Sequence, residues 1–153
     1  MAWRKIVGGT VVALALAVTG CSDGPKGPGV PTPVESACDK ANDGKRLQVE
    51  GYLDFPKSFK SKEITIMMRL RPALEASAKV VGVSVGLGNA ANQVELPPKE
   101  FTPADMKVHT QDGKVIGYRD KVKVTGTMYY PSSMAQVEFQ CGLTNTFVES
   151  AGR

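Results

Sequence analysis

The chain has 153 residues and little of what catalysis usually needs. It contains one histidine, His109, one tryptophan, Trp3, and three cysteines. A single imidazole leaves a serine–histidine–aspartate relay without choices, because such a relay needs a base oriented by a third group. His109 follows Val108 in an extended stretch before a turn and reads as a strand residue. A metal centre wants three or four ligands, and one histidine does not complete such a set. Asp105, Asp112 and Asp120 are far apart and turn-like in their surroundings, so they read as turn residues and not as a general acid–base pair. No nucleophile elbow, phosphate loop, dinucleotide fingerprint or calcium loop is expected. The expectation is therefore a non-enzymatic chain with no catalytic residue, no cofactor and no metal.

Long apolar runs are also missing. The longest, Ile6 to Val18, is interrupted by Gly8, Gly9 and Thr10 and falls short of the roughly 20 residues a spanning helix requires. Before it stands the short basic stretch Met1-Ala2-Trp3-Arg4-Lys5, and after it Val18-Thr19-Gly20-Cys21. A basic start, a short apolar core and a small-residue exit mark an export signal. With a cysteine directly after Thr-Gly, the segment resembles a bacterial lipoprotein signal peptide ending in a lipobox. That resemblance implies removal of residues 1–20 and lipidation of Cys21 with acyl chains such as palmitate. A single chain gives reversible binding at about 0.8 kcal/mol per buried methylene, and two or more hold stably. The implied location is the extracytoplasmic side of the cell envelope. Ser22 instead of aspartate at the second mature position favours the periplasmic face of the outer membrane in a Gram-negative cell.

Ser22 to Pro33 is dominated by proline and glycine and shows no hydrophobic period, so it reads as a spacer. The expected organisation is a signal peptide over 1–20, the lipidated cysteine and tether over 21–36, and one β-domain over 37–150. About 120 residues suit a single core. The formal charge of +4 includes Arg4 and Lys5 and becomes +2 without them. Lys57, Lys60, Lys62, Arg69 and Arg71 form a loose basic cluster, read mainly as solvated surface. Cys38 and Cys141 remain as an even pair in an oxidising compartment and are expected to form a disulfide. The alternatives are two buried thiols or half of a metal site.

Five stretches carry the period-2 pattern of half-buried strands. Leu47, Val49, Gly51 and Leu53 make the first; Ile64, Ile66, Met68 and Leu70 the second; Val81, Val83, Val85 and Leu87 the third. Val122, Val124, Gly126 and Met128 make the fourth, and Val137, Phe139, Cys141 and Leu143 the fifth, after a turn at Pro131-Ser132-Ser133. Between the third and fourth strands, Thr102-Pro103-Ala104-Asp105 has the signature of a capped helical turn. Asp112-Gly113 marks a hairpin, and Val94 to Leu96 offers an extra strand. Glu75-Ala76-Ser77-Ala78 reads as a loop.

Five strands with a short helical turn between strands 3 and 4 is the layout of an OB-fold, a Greek-key barrel. The stretches Val49–Leu53, Phe101–Val108 and Asp120–Thr127 resemble exported bacterial OB-fold proteins, similar to the tRNA-anticodon-binding-like OB family, over residues 45–148. A small β-sandwich is the alternative. Barrels that bind nucleic acid stack bases on aromatics of strands two and three. Glu63–Arg71 and Val80–Leu87 contain none, so nucleic acid is not an expected partner. The candidate binding surface is Met67, Arg69 and Arg71 on strand two with Tyr129 and Tyr130 at the last hairpin. Its expected partner is an envelope protein or glycan, besides the membrane lipid at Cys21. The alternative function is a structural, accessory or stress-related lipoprotein without its own ligand.

Overall fold

The computed structural model describes residues 27–57, 64–75, 81–131 and 139–152. The segment 1–20 expected to be a signal peptide, Cys21, Lys60, Lys62, most of the stretch read as a loop after Glu75, and Ser132-Ser133 lie outside the described residues. Chain order runs β1 (Val30–Pro31), α1 (Val34–Ala37), β2 (Arg46–Asp54), β3 (Thr65–Arg71), β4 (Val81–Leu87), β5 (Gln93–Val94), β6 (Val108–His109), β7 (Val115–Ile116), β8 (Lys121–Tyr129) and β9 (Cys141–Ser150).

Five of these strands close on one another. β2 pairs antiparallel with β8 and, through Tyr52, Leu53 and Asp54, with β3. β3 continues to β4, β4 runs parallel to β9, and β9 returns antiparallel to β8. The result is an all-β, closed five-stranded barrel of OB-fold-like layout, and closure rules out the two-sheet sandwich. Period-2 alternation is what fills it: Leu47, Val49, Ile66, Met68, Val83, Val85, Val122, Val124 and Leu143 all point inward and are essentially inaccessible. At Gly51 a Cβ would fall 2.4 Å from the Arg71 carbonyl oxygen, so only glycine lets β3 cross close enough to close the barrel.

One end of the barrel is plugged by α1, whose Val34 and Ala37 are buried. The disulfide Cys38–Cys141 ties this plug to the first residue of β9, with Cα atoms 5.3 Å apart and 103 positions of separation. Closing so long a loop contributes about 4–5 kcal/mol in the chain-entropy argument. The connector between β4 and β8 adds β5, β6 and β7, and its Val94, Met106, Val108 and Ile116 join the core. Its 3-10 turn Pro103–Asp105 sits where the sequence puts it. Thr102 donates from both its amide (2.7 Å) and its hydroxyl (2.9 Å) to the Asp105 carboxylate. Gly113 of the Asp-Gly pair has φ +79° and turns the β6–β7 hairpin.

Three details depart from the sequence reading. The fifth principal strand starts at Cys141 and runs to Ser150, instead of covering Val137–Leu143; Phe139 precedes it and Val137 lies outside the described residues. Its second half was hidden by a β-bulge. Thr127 faces Thr144 while Thr125 faces Phe147, so β9 holds one extra residue there, and Asn145 takes a positive φ of 49°. The extra strand is the two residues Gln93–Val94 and stops before Leu96. The segment expected as tether through residue 36 joins the fold well before that boundary. Val30 and Pro31 pair in parallel with Leu47 and Gln48, on the part of β2 that β3 leaves uncovered. Pro31 is tolerated because an edge strand can spare the amide.

Candidate functional site: a basic groove beside Tyr52

The outward residues of β2 are the even-numbered ones, and those of β3 and β8 the odd-numbered ones, because the partners in each alternation fill the core. Register then sets Lys121, Tyr52 and Arg71 side by side across β8, β2 and β3, with Arg69 opposite Asp54 one step along. Strands lie about 4.8 Å apart, so the Cα atoms of Lys121 and Arg71 flank Tyr52 at a separation of about 10 Å.

Three adjoining clefts extend this row into a groove. The widest, about 840 Å³, is lined by Tyr52, Lys114, Arg119, Asp120 and Lys121, with Val115, Ile116, Ser150 and Gly152. Tyr52 also lines a narrow saddle of about 90 Å³ with Asp54, Arg71, Leu74, Pro103 and Tyr118. Asp54 and Pro103 lead on into a third cleft of about 390 Å³ with Phe55, Lys57, Arg69, Lys99, Glu100 and Phe101. Seven cationic side chains line the groove against three carboxylates, Asp54, Glu100 and Asp120, and two more carboxylates beside it, Glu50 and Asp112, pair with Lys121 and Lys114. Low-dielectric walls lined by one sign of charge concentrate the field for an anionic ligand.

The side chains are partly held in place. Arg71 Nη2 lies 3.2 Å from Asp54 Oδ2, both groups being mostly buried, and Arg71 Nε is buried without a hydrogen bond. Arg119 Nε donates to the Tyr118 hydroxyl at 2.9 Å and its guanidinium stands 5.5 Å from that ring. Phe55 and Phe101 meet edge to face at 5.0 Å and wall the third cleft. Asp120 accepts the Gly117 amide at 2.9 Å, which shapes the turn that presents Tyr118 and Arg119. Lys121 reaches Glu50 at 3.0 Å, an exposed pair of small energetic weight.

Arg69 and Arg71, singled out from the sequence, line this groove. Met67, Tyr129 and Tyr130 do not. Register links Arg69, Gly82, Gly142 and Tyr129 across β3, β4, β9 and β8, so strand two and the last hairpin do share an outer face. Met67 and Phe139 cover Gly82 there, and the Tyr129 ring covers Gly142. Tyr130 packs against the core, and its amide donates to Asp43 at 2.9 Å. Tyr52, Lys114, Tyr118, Arg119 and Lys121 were missed as a group. Alternation alone turns Tyr52 and Lys121 outward, but only the β2–β8 register makes them neighbours.

The remaining polar residues serve local structure. His109 Nε2 lies 3.0 Å from Glu95 Oε1, and Lys107 Nζ lies 3.4 Å from the other oxygen; the His109 contact is the main cause holding the Glu95 carboxyl below its usual range. Asp112 is held down to about 2, first by the Thr110 hydroxyl, then by Lys114 and the Ser150 amide. The Asp105 carboxyl is lowered by the Thr102 amide and hydroxyl. The letters Gly-x-Ser-x-Gly do occur, at Gly82-Val83-Ser84-Val85-Gly86, yet Ser84 sits mid-strand in β4, whereas an elbow needs a sharp strand-to-helix turn. Among the described residues no three histidine, cysteine or acidic side chains cluster as metal ligands.

The fold and groove together define a disulfide-closed, OB-fold-like barrel with a cationic, aromatic-edged outer groove. Comparison with protein-family models, curated proteins and solved structures returns no match.

Proposed function

We propose that this chain is an envelope lipoprotein, anchored through Cys21, whose non-catalytic barrel binds an anionic protein or polymer of the cell envelope. The groove is the observation that carries this reading: seven cations against three carboxylates, gathered from β2, β3, β8 and two connectors, around Tyr52 and Tyr118. Away from the groove, Glu95 meets both Lys107 and His109. A groove of this sign and shape favours an extended acidic ligand by long-range attraction, with aromatic edges giving apolar contact. Nucleic acid is disfavoured, since β3 and β4 carry no aromatic residue on which bases stack.

The anchor is tested by Cys21→Ser, which is expected to release the protein from membranes and abolish lipid labelling; continued membrane association contradicts it. The binding role is tested by placing a photocrosslinking side chain at Arg119 or Lys114 in intact cells and identifying the adduct by mass spectrometry. The expected adduct is one acidic envelope component, absent from the same probe at Ile64, which is exposed and lies outside the groove. Identical patterns from both positions contradict the reading.

A further inference from the structure

The N-terminal segment is latched, and the latch sets which side of the barrel faces the anchor. Arg46 Nε donates to the Gly27 carbonyl at 2.7 Å, and Nη1 donates to Asn145 at 3.3 Å. The same guanidinium stands 5.3 Å from the centre of the Phe147 ring. The Thr32 amide donates to the Gln48 carbonyl at 2.9 Å, continuing the β1–β2 pairing. A Cβ at Gly29 would fall 2.3 Å from the Leu47 carbonyl, so the segment lies directly on β2.

Chain length does the rest. From Cys21 to Gly27 is six residue steps, which reach at most about 20 Å when fully extended. A domain of this size has a radius of gyration of about 13 Å and is wider than that reach. The side of the barrel where the chain leaves at Gly27 must therefore turn toward whatever holds Cys21.

That side suits a bilayer surface. Register sets Pro31, Gln48, Thr125 and Phe147 in one uncharged outer row across β1, β2, β8 and β9. Val30 is 58% exposed and Phe147 38% exposed, and Gly27, Pro28 and Phe147 share one cleft of about 470 Å³ with Arg46, Gln48, Gln111 and Thr125, and with Glu149 at its edge. An arginine stacked on an exposed ring, with apolar neighbours, matches the headgroup zone, where side chains bury an apolar body and keep a polar tip wet.

We infer that the outer row Pro31, Gln48, Thr125 and Phe147, with the exposed edge strand β1 beside it, rests on the headgroup layer of the membrane that carries the Cys21 lipid. The inference depends on the lipoprotein reading and is independent of the groove. Arg46 is a positioning residue that shortens the leash.

Trp3, the only tryptophan, lies in the segment expected to be removed, so an introduced indole reports alone. Lipidated Phe147→Trp protein is reconstituted into phosphatidylethanolamine–phosphatidylglycerol vesicles whose acyl chains are brominated near the headgroup. Flotation with the vesicles reads the anchor, and loss of tryptophan emission reads the face. Val30→Trp probes the edge strand beside that row, and Leu74→Trp probes the saddle of the groove. The expected result is flotation with quenching of Phe147→Trp and Val30→Trp but not of Leu74→Trp, and weaker quenching when Arg46→Ala is added. Flotation with equal quenching at all three positions, or with none, overturns this inference and leaves the anchor standing. Failure to float overturns both.

Discussion

The two ends of β2 have the same alternation and opposite surroundings. At its start, Leu47 and Val49 fill the core while Gln48 pairs with β1 and Arg46 holds Gly27 just before it, both in a proline- and glycine-rich stretch. At its end, Leu53 fills the core while Tyr52 and Asp54 meet β3 and β8, whose outward residues are Arg69, Arg71 and Lys121. The single arginine at the first end is consumed by backbone carbonyls and a ring. The cations at the second end pair at its margins, Arg71 with Asp54 and Lys121 with Glu50, and line open clefts. Alternation decides which residues face out; what those residues then do is set by the strand that pairs beside them.

The difference can be broken or sharpened by mutation. The largest expected effect belongs to the staple near the plugged end. Cys38→Ala, or reduction, is expected to lower stability by about 4 kcal/mol, read as a large drop in Tm. An unchanged melt contradicts a structural role for the bridge. Next comes the latch against the groove. Arg46→Ala removes two hydrogen bonds and a ring contact and is expected to cost about 1–2 kcal/mol in chemical denaturation. Lys121→Ala removes only an exposed ion pair with Glu50 and should stay within about 0.5 kcal/mol. Equal costs at both ends would erase the distinction.

The smallest expected effect is electrostatic. Asp112 is held down to about 2, below its unfolded value, so the stability it contributes is present above about pH 4 and is lost as the pH falls through about 2. Acid melts of the wild type and of Asp112→Asn should differ at pH 4 and converge near pH 2. A constant difference across that range would show that Asp112 acts through packing alone.

Much of the barrel was legible in the sequence, because its strands keep strict period-2 alternation and its turns carry standard signals. Thr102-Pro103 and Asp112-Gly113 marked their turns directly, and two leftover cysteines gave the bridge. What escaped notice had physical causes. β9 changes phase at Asn145, so its second half does not read as a strand. β1 is two residues long and needs only an unpaired backbone edge, which composition does not reveal. The groove was legible only in Arg69 and Arg71. Its other cations come from Lys57, Lys99, Lys114, Arg119 and Lys121, spread over more than sixty positions, and only closure of the barrel and its register gather them. Expected position on an outer strand face and at the last hairpin points instead to Met67 with Tyr129 and Tyr130, side chains that cover outer glycines or pack against the core.

The central claim is that the cationic end of β2 is a binding surface. The most direct measurement is titration of the folded chain carrying Cys21→Ser with a purified acidic envelope polymer at rising salt, beside the double variant Arg119→Glu, Lys121→Glu. The account predicts binding that weakens steeply with salt and falls at least about ten-fold in the variant, a loss of about 1.4 kcal/mol or more, while Tm is unchanged. Equal affinity of both chains, or binding insensitive to salt, would contradict it.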